Sequence, residues 1–167
     1  MKPLVRSRLL FYGGAATVVV VDQIVKFWVA RNLPAYTPVN PIPSLSPVFS
    51  FTFVKNTGVA FGMFPQFGGI FRFLTAFVIL GILLFQRTLS VKEVWLHLTL
   101  GLVTGGALGN LLDRFTRGFV VDFLDVNFWP FRLWPVFNVA DSAIVVGVAL
   151  LLIDSFFTSE EVVTAGA

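Results

Sequence analysis

The sequence predicts a mainly α-helical membrane protein, a bundle of four transmembrane helices with strand-bearing loops at one side. Three observations carry that prediction. Of the 167 residues, 56% are hydrophobic and only 13% are charged; an ordinary soluble domain carries about 25% charged residues. The apolar residues gather into four runs of about bilayer-crossing length. Between the runs lie loops rich in proline and aromatic residues, one of them alternating polar with apolar. The whole chain, 1–167, reads as one domain.

Composition also excludes several functions. The net charge is +3, but the basic residues are scattered singly apart from Lys2, Arg6 and Arg8, so no nucleic-acid partner is expected. The absence of cysteine rules out thiolate catalysis, disulfides and Cys-type zinc sites, and the single histidine, His97, cannot build a multi-histidine centre. Neither a metal nor another cofactor is expected.

The first apolar run, about 9–30, follows the basic cluster. A signal peptide has the same layout, but its apolar core is roughly 7–15 residues long. This run is longer and carries Asp22, Gln23 and Lys26 near its end, so it reads as a span. Pro34, Pro38, Pro41, Pro43 and Pro47 then predict an extended, non-helical loop. Val48–Lys55 alternates, with Phe49, Phe51 and Phe53 on one face and Ser50 and Thr52 on the other, a strand signal. Asn56-Thr57-Gly58 ends it as a turn.

The second span is expected at 70–86 and the third at 94–112, where Gly101, Gly105 and Gly109 share one close-packing face. Loop 114–137 holds a strand-like Phe119–Phe128 and an aromatic section, Phe128, Trp129, Phe131 and Trp134, suited to the headgroup level and expected to cover the site. The fourth span is 138–157. Four spans place both termini on one side and loops 31–68 and 114–137 on the other. Lys2, Arg6 and Arg8 predict cytoplasmic termini, although Arg31, Lys55, Arg114, Arg117 and Arg132 then lie outside.

The polar residues inside this apolar chain are few and clustered. Asp22 and Lys26 share a helix face, an ionisable pair within a span. They read as a structural ion pair or support for a site ahead of direct chemistry, which stays open. Asn110, Asp113 and Arg114 form one polar face at the outer end of the third span, with Asp113 expected to orient Arg114. Asp141 falls in the first turn of the fourth span, three residues after Asn138, a candidate N-cap. Helix capping alone explains Asp141. It does not explain Asp122, which lies between valines and Phe123 with no evident stabiliser in the sequence. Two carboxylates brought together cannot both ionise and share a proton. Such a pair hydrolyses peptides without a covalent intermediate, one carboxylate taking a proton from water while the other polarises the carbonyl.

Five motifs in order, DQIVK (22–26), KNTGVAFG (55–62), GGALGNLLDR (105–114), GFVVDF (118–123) and FNVADS (137–142), resemble those of lipoprotein signal peptidase, signal peptidase II. The resemblance covers about residues 9–150. It implies a four-helix membrane bundle with a small extracytoplasmic β-cradle, at about 44–62 and part of 115–128, and a short interfacial helix near 62–68 or 128–134. It further implies an aspartyl endopeptidase of the bacterial inner membrane that cleaves a prolipoprotein just before its diacylglyceryl-modified cysteine. The catalytic pair falls on Asp122 and Asp141, and the pocket residues on Asp22, Lys26, Asn56, Gly58, Asn110, Asp113, Arg114 and Asn138. Cyclic peptide antibiotics of the globomycin type are the implied inhibitors, membrane lipid is a partner, and a monomer is expected. Val25 and Val59 depart from the family pattern without removing a polar group.

Competing classes stay open at the level of residues. Intramembrane Asp and Lys also mark small proton-coupled carriers, though here they gather at one side. Asp113, Asp122, Asp125 and Asp141 offer oxygen ligands for Mg²⁺ or Ca²⁺, without a phosphate-binding loop. Ser50 with Lys55 is a weaker Ser–Lys candidate, and a passive scaffold would need the aspartates only as caps.

Overall fold

The computed structural model describes residues 3–46, 48–58, 68–90, 93–127 and 134–165. Helices α1 (Pro3–Asn32), α2 (Gly68–Phe85), α3 (Val94–Thr116) and α4 (Val139–Ala165) alternate with strands β1 (Pro38–Val39), β2 (Phe49–Asn56) and β3 (Val120–Val126). Among the described residues three helices are long and apolar enough to cross a membrane, over Ser7–Asn32, Val94–Thr116 and Val139–Phe156; Gly69–Phe85 is a shorter apolar helix.

α3 is the central helix, packed along α1, α4 and α2. Glycine allows the close approach. A Cβ at Gly101 would stand 2.5 Å from the Phe11 carbonyl oxygen, one at Gly105 2.7 Å from that of Ala15, and one at Gly109 2.7 Å from Asp22 Oδ2. Gly106 faces the other way, with its missing Cβ on the Ala140 carbonyl of α4. Gly106→Ala must therefore push α4 off α3. We expect a loss of about 1–3 kcal/mol, as for overpacking, read as a lowered thermal midpoint in detergent; Gly81→Ala, which meets open space, is the control that should leave the midpoint unchanged.

The strands form an antiparallel sheet in the order β1-β2-β3. Its core joins Val121 and Phe123 of β3 and Phe53 of β2 to Val29 of α1. α3 hands over to β3 through Gly118, whose φ of 82° ends the helix in a left-handed residue. At the far end, Phe137 exchanges backbone hydrogen bonds with Leu124, 2.7 and 3.0 Å, which pins the start of α4 against β3.

Two expectations change here. Proline does not exclude helix throughout 31–47, because Pro43–Leu45 makes one 3-10 turn with Pro43 in its first position, where a missing N–H costs nothing. The same loop adds β1, so the sheet reaches beyond 44–62, while residues 115 and 116 belong to α3. Second, β2 is not regular. Phe51 stands opposite Leu124 but Val54 opposite Asp122, so Thr52 and Phe53 together oppose Phe123 in a bulge. Phe49 and Phe51 keep one face; Phe53 joins Ser50 and Thr52 on the other. The two ranges proposed for the interfacial helix, and Trp129, fall largely or wholly outside the described residues. Trp134 is exposed.

Candidate active site

Asp122 sits mid-strand in β3 and is 2% exposed. Its stabilisers, invisible in the flanking sequence, are amides. Asn138 Nδ2 donates to Oδ1 at 2.6 Å, and Asn56 Nδ2 donates to Oδ2 at 2.8 Å. Asn56 is held by its own turn, its Oδ1 accepting from the Gly58 N–H at 3.0 Å.

Asp141 is fixed by the beginning of α4. Asn138 Oδ1 accepts from the Asp141 N–H at 2.9 Å, and Asp141 Oδ2 accepts from the Asn138 N–H at 3.3 Å. This is a capping box with aspartate at its third position. Asp141 Oδ1 accepts from Asn110 Nδ2 at 2.7 Å, and Asn138 Nδ2 also reaches Asn110 Oδ1 at 3.1 Å. Asn138 thus touches both carboxylates, and Asn110 closes the ring. Asp122 and Asp141 are brought together across one residue, Asn138, whose side-chain amide meets the first carboxylate and whose backbone N–H meets the second.

Beneath them lies a buried ion cluster. Lys26 and Asp22 are both fully buried. The three Lys26 ammonium protons have three partners, Asp22 Oδ2 at 2.9 Å, Asp113 Oδ2 at 3.1 Å and Asn110 Oδ1 at 2.8 Å. Asp22 Oδ1 accepts from the Ala140 N–H at 2.9 Å, and Asp113 Oδ2 from the Val121 N–H at 3.1 Å. The cluster therefore ties α1 to α3, to the N-terminus of α4 and to the strand carrying Asp122.

The expected Asp113–Arg114 pairing is corrected. Asp113 Oδ1 is taken by Arg117, one turn on, and by Gln23. Arg114 Nη2 instead donates to the Gly58 carbonyl at 3.2 Å, and Nη1 reaches the Asn110 carbonyl at 3.5 Å. Arg114 lies one residue from Asp113 and points round the helix; Arg117, at i+4, shares its face. Gln23 and Arg117 are the members of the site that sequence reasoning missed. Gln23 Nε2 bridges Asp22, the Gly109 carbonyl and Asp113, and its Oε1 accepts from Arg117 at 3.1 Å. The i+4 spacing of Asp113 and Arg117 was the available signal.

Asp125, one of the oxygen-ligand candidates, accepts from Ser50 at 3.2 Å, Thr52 at 2.7 Å and Asn127 at 2.7 Å. Among the described residues no group of three or more His, Cys, Asp or Glu is placed to hold a metal ion.

Burial, and after it the charge of Asp141, push Asp122 from its ordinary 3.8 up to about 7, against the opposing pull of Asn56, Asn138 and Lys26. The neutral form is therefore favoured in the fold. Its stabilisation is complete below 3.8 and is lost as pH rises through about 7. Two acids (Asp22, Asp113) balance two bases (Lys26, Arg117) below. Above, a pair carrying one proton leaves a single negative charge for Arg114.

Residues 14–157 match the family described as signal peptidase (SPase) II. The chain is 44% identical over 162 residues to the lipoprotein signal peptidase of Shewanella halifaxensis, covering 93% of this chain and 91% of that one. It is 44% identical over 160 residues to that of Shewanella piezotolerans, with the same coverage. A solved structure described as a bacterial membrane enzyme superposes with a TM-score of 0.81 at 28% identity, over 89% of this chain and 88% of the other. A second, also described as a bacterial membrane enzyme, gives 0.75 at 30% identity over 84% and 88%. A family match across most of the length, relatives at this identity and a shared fold all agree: the chain belongs to the signal peptidase II family, membrane proteases that remove signal peptides from prolipoproteins.

Proposed function

We propose that the protein is an aspartic endopeptidase in which Asp122 and Asp141 activate water to cut a diacylglyceryl-modified prolipoprotein just before its lipidated cysteine. The observation that carries this reading is one asparagine, Asn138, meeting two carboxylates, Asp122 through its side-chain amide and Asp141 through its backbone N–H, with Asp122 pushed up to about 7 by burial. At neutral pH the shared proton resides on Asp122. Ionised Asp141 takes a proton from the attacking water while the Asp122 carboxyl donates a hydrogen bond to the scissile carbonyl. The water oxygen bonds to the carbonyl carbon. The proton on Asp141 then passes to the departing cysteine nitrogen as the C–N bond breaks, which returns the pair from two protons to its starting one. Asn110 and Asn138 hold the two carboxylates apart and in register, and Arg114 orients the substrate through the Gly58 turn.

In this reading α2 is a fourth span, since its 18 residues extend about 27 Å at 1.5 Å per residue. The protein lies in the bacterial inner membrane with both termini cytoplasmic and the dyad at the outer face. It acts as a monomer, and globomycin-type cyclic peptides compete for the pocket.

The deciding experiment incubates purified protein in detergent with a diacylglyceryl-modified precursor. Mass spectrometry should find a product beginning at the lipidated cysteine. No cut, or a cut elsewhere, sinks the proposal. The same assay run against pH should show kcat/KM falling about tenfold per unit once pH passes the point where the pair loses its proton, with the midpoint near 7. A profile flat from pH 6 to 9 contradicts the proton-sharing step.

A further inference from the structure

α2 is apolar along its whole length except for Arg72 and Thr75. Ile70, Phe73, Leu74 and Phe77 face outward to lipid. Arg72 is half-buried, and its Nε is buried without a hydrogen-bond partner among the described residues. The ion pairs among those residues join Lys26 and Arg117 to Asp22 and Asp113, and none involves Arg72. Arg114, a second cation, is among its charged neighbours. An uncompensated guanidinium within an apolar helix and beside a like charge is costly, and such residues mark function.

The position is informative. The chain reaches α2 from β2, so Arg72 lies on the dyad's side, about 6 Å into the helix. The donors of Arg114 are directed at the carbonyls of Gly58 and Asn110; among the described residues the Arg72 Nε meets no such acceptor. Its planar fork of N–H groups fits paired oxygen acceptors.

We propose that Arg72 is a specificity-determining residue that grips the ester carbonyl oxygens of the substrate's diacylglyceryl group. The inference rests on the prolipoprotein reading above. The lipidated cysteine flanks the scissile bond, so its glyceryl group must lie beside the dyad. Its acyl chains must run out into lipid, and the outward face of α2 offers that route. A lipid anchor held this way sets the distance between the cysteine and the catalytic water.

The test uses two lipopeptides identical except that one carries a diester glyceryl group and the other a dialkyl ether lacking both carbonyls. The wild-type enzyme should prefer the diester by about tenfold in kcat/KM, the scale of one good hydrogen-bonded contact. Arg72→Ala and Arg72→Gln should raise KM for the diester about tenfold with kcat within about twofold, leave the ether unchanged, and so erase the preference. Thermal midpoints of both variants establish that they are folded. An equal loss on both substrates, or a preference that survives either substitution, overturns the proposal. So does a defect seen only in micelles carrying phosphatidylglycerol, which would assign Arg72 to a lipid phosphate. Wild-type enzyme that cleaves neither lipopeptide removes the underlying prolipoprotein reading, whereas cleavage of both at equal rates removes only the role of Arg72.

Discussion

Asp122→Asn and Asp141→Asn should each lower cleavage of the lipidated precursor by at least about 10³-fold while leaving the protein folded and inserted. Loss of a positioned acid or base alone is worth about 10²–10⁴-fold, and here the remaining carboxylate also loses the partner that tunes its proton. The fold should survive because an asparagine oxygen still accepts from one of the two donors that meet Asp122, Asn138 and Asn56, and only the other loses its acceptor. At residue 141 an asparagine oxygen can still close the capping box that begins α4. Asp122→Asn also removes a group that burial resists ionising, so its thermal midpoint should fall less than that of wild type as pH rises from about 4 to about 7. Turnover within threefold of wild type in either variant would make the aspartates caps rather than catalysts. A change in proton flux without loss of cleavage would instead favour a carrier.

The largest stability effect is expected at Lys26. Lys26→Met leaves Asp22 and Asp113 facing each other without the ammonium that joins them, and all three side chains are fully buried. Breaking a buried ion pair on one side costs about 3–5 kcal/mol. The variant should lose most of its thermal midpoint in detergent, and cleavage with it, because Asp113 also holds the β3 backbone at Val121. Adding Asp22→Asn should recover much of the midpoint: Asp113 keeps Arg117, and the new amide removes the second uncompensated charge. A single variant as stable as wild type would mean that the cluster is solvated and braces nothing.

The extent to which the sequence disclosed this molecule follows from how far each signal reaches along the chain. The long helices announce themselves because about 20 consecutive apolar residues have few other uses. The glycines at 101, 105 and 109 foretold the α1 contact because a repeat of four fixes a face regardless of partner. Asp122 and Asp141 were singled out as carboxylates in apolar settings. Their connection was not legible, since the shared residue, Asn138, is 16 residues from one and adjoins the other only through a cap. The Asp113 error came from preferring a neighbour in sequence to one a helical turn away. Gln23 was passed over because an amide inside a span carries no charge to draw notice, although it joins four groups. β1 is only two residues long and carries no periodicity at all. The added residue in β2 did leave a trace, since the alternation slips where Phe53 and Val54 follow one another and Lys55 takes an apolar phase, but so short a slip does not distinguish a bulge from the end of a strand.

That added residue decides the electrical character of the dyad. Were β2 to continue evenly from the Phe51–Leu124 pair, Phe53 would meet Asp122 and Lys55 would stand beside it on the same face. An ammonium there would hold the carboxylate ionised, and a proton could no longer be traded between the acids. With the offset, Lys55 turns outward over the Phe119 ring, 5.3 Å from its centroid, and the neutral amide of Asn56 arrives instead. A single insertion or deletion between Ser50 and Val54 would thus exchange an amide for a cation at the catalytic acid while every hydrophobic count in the chain stayed nearly the same.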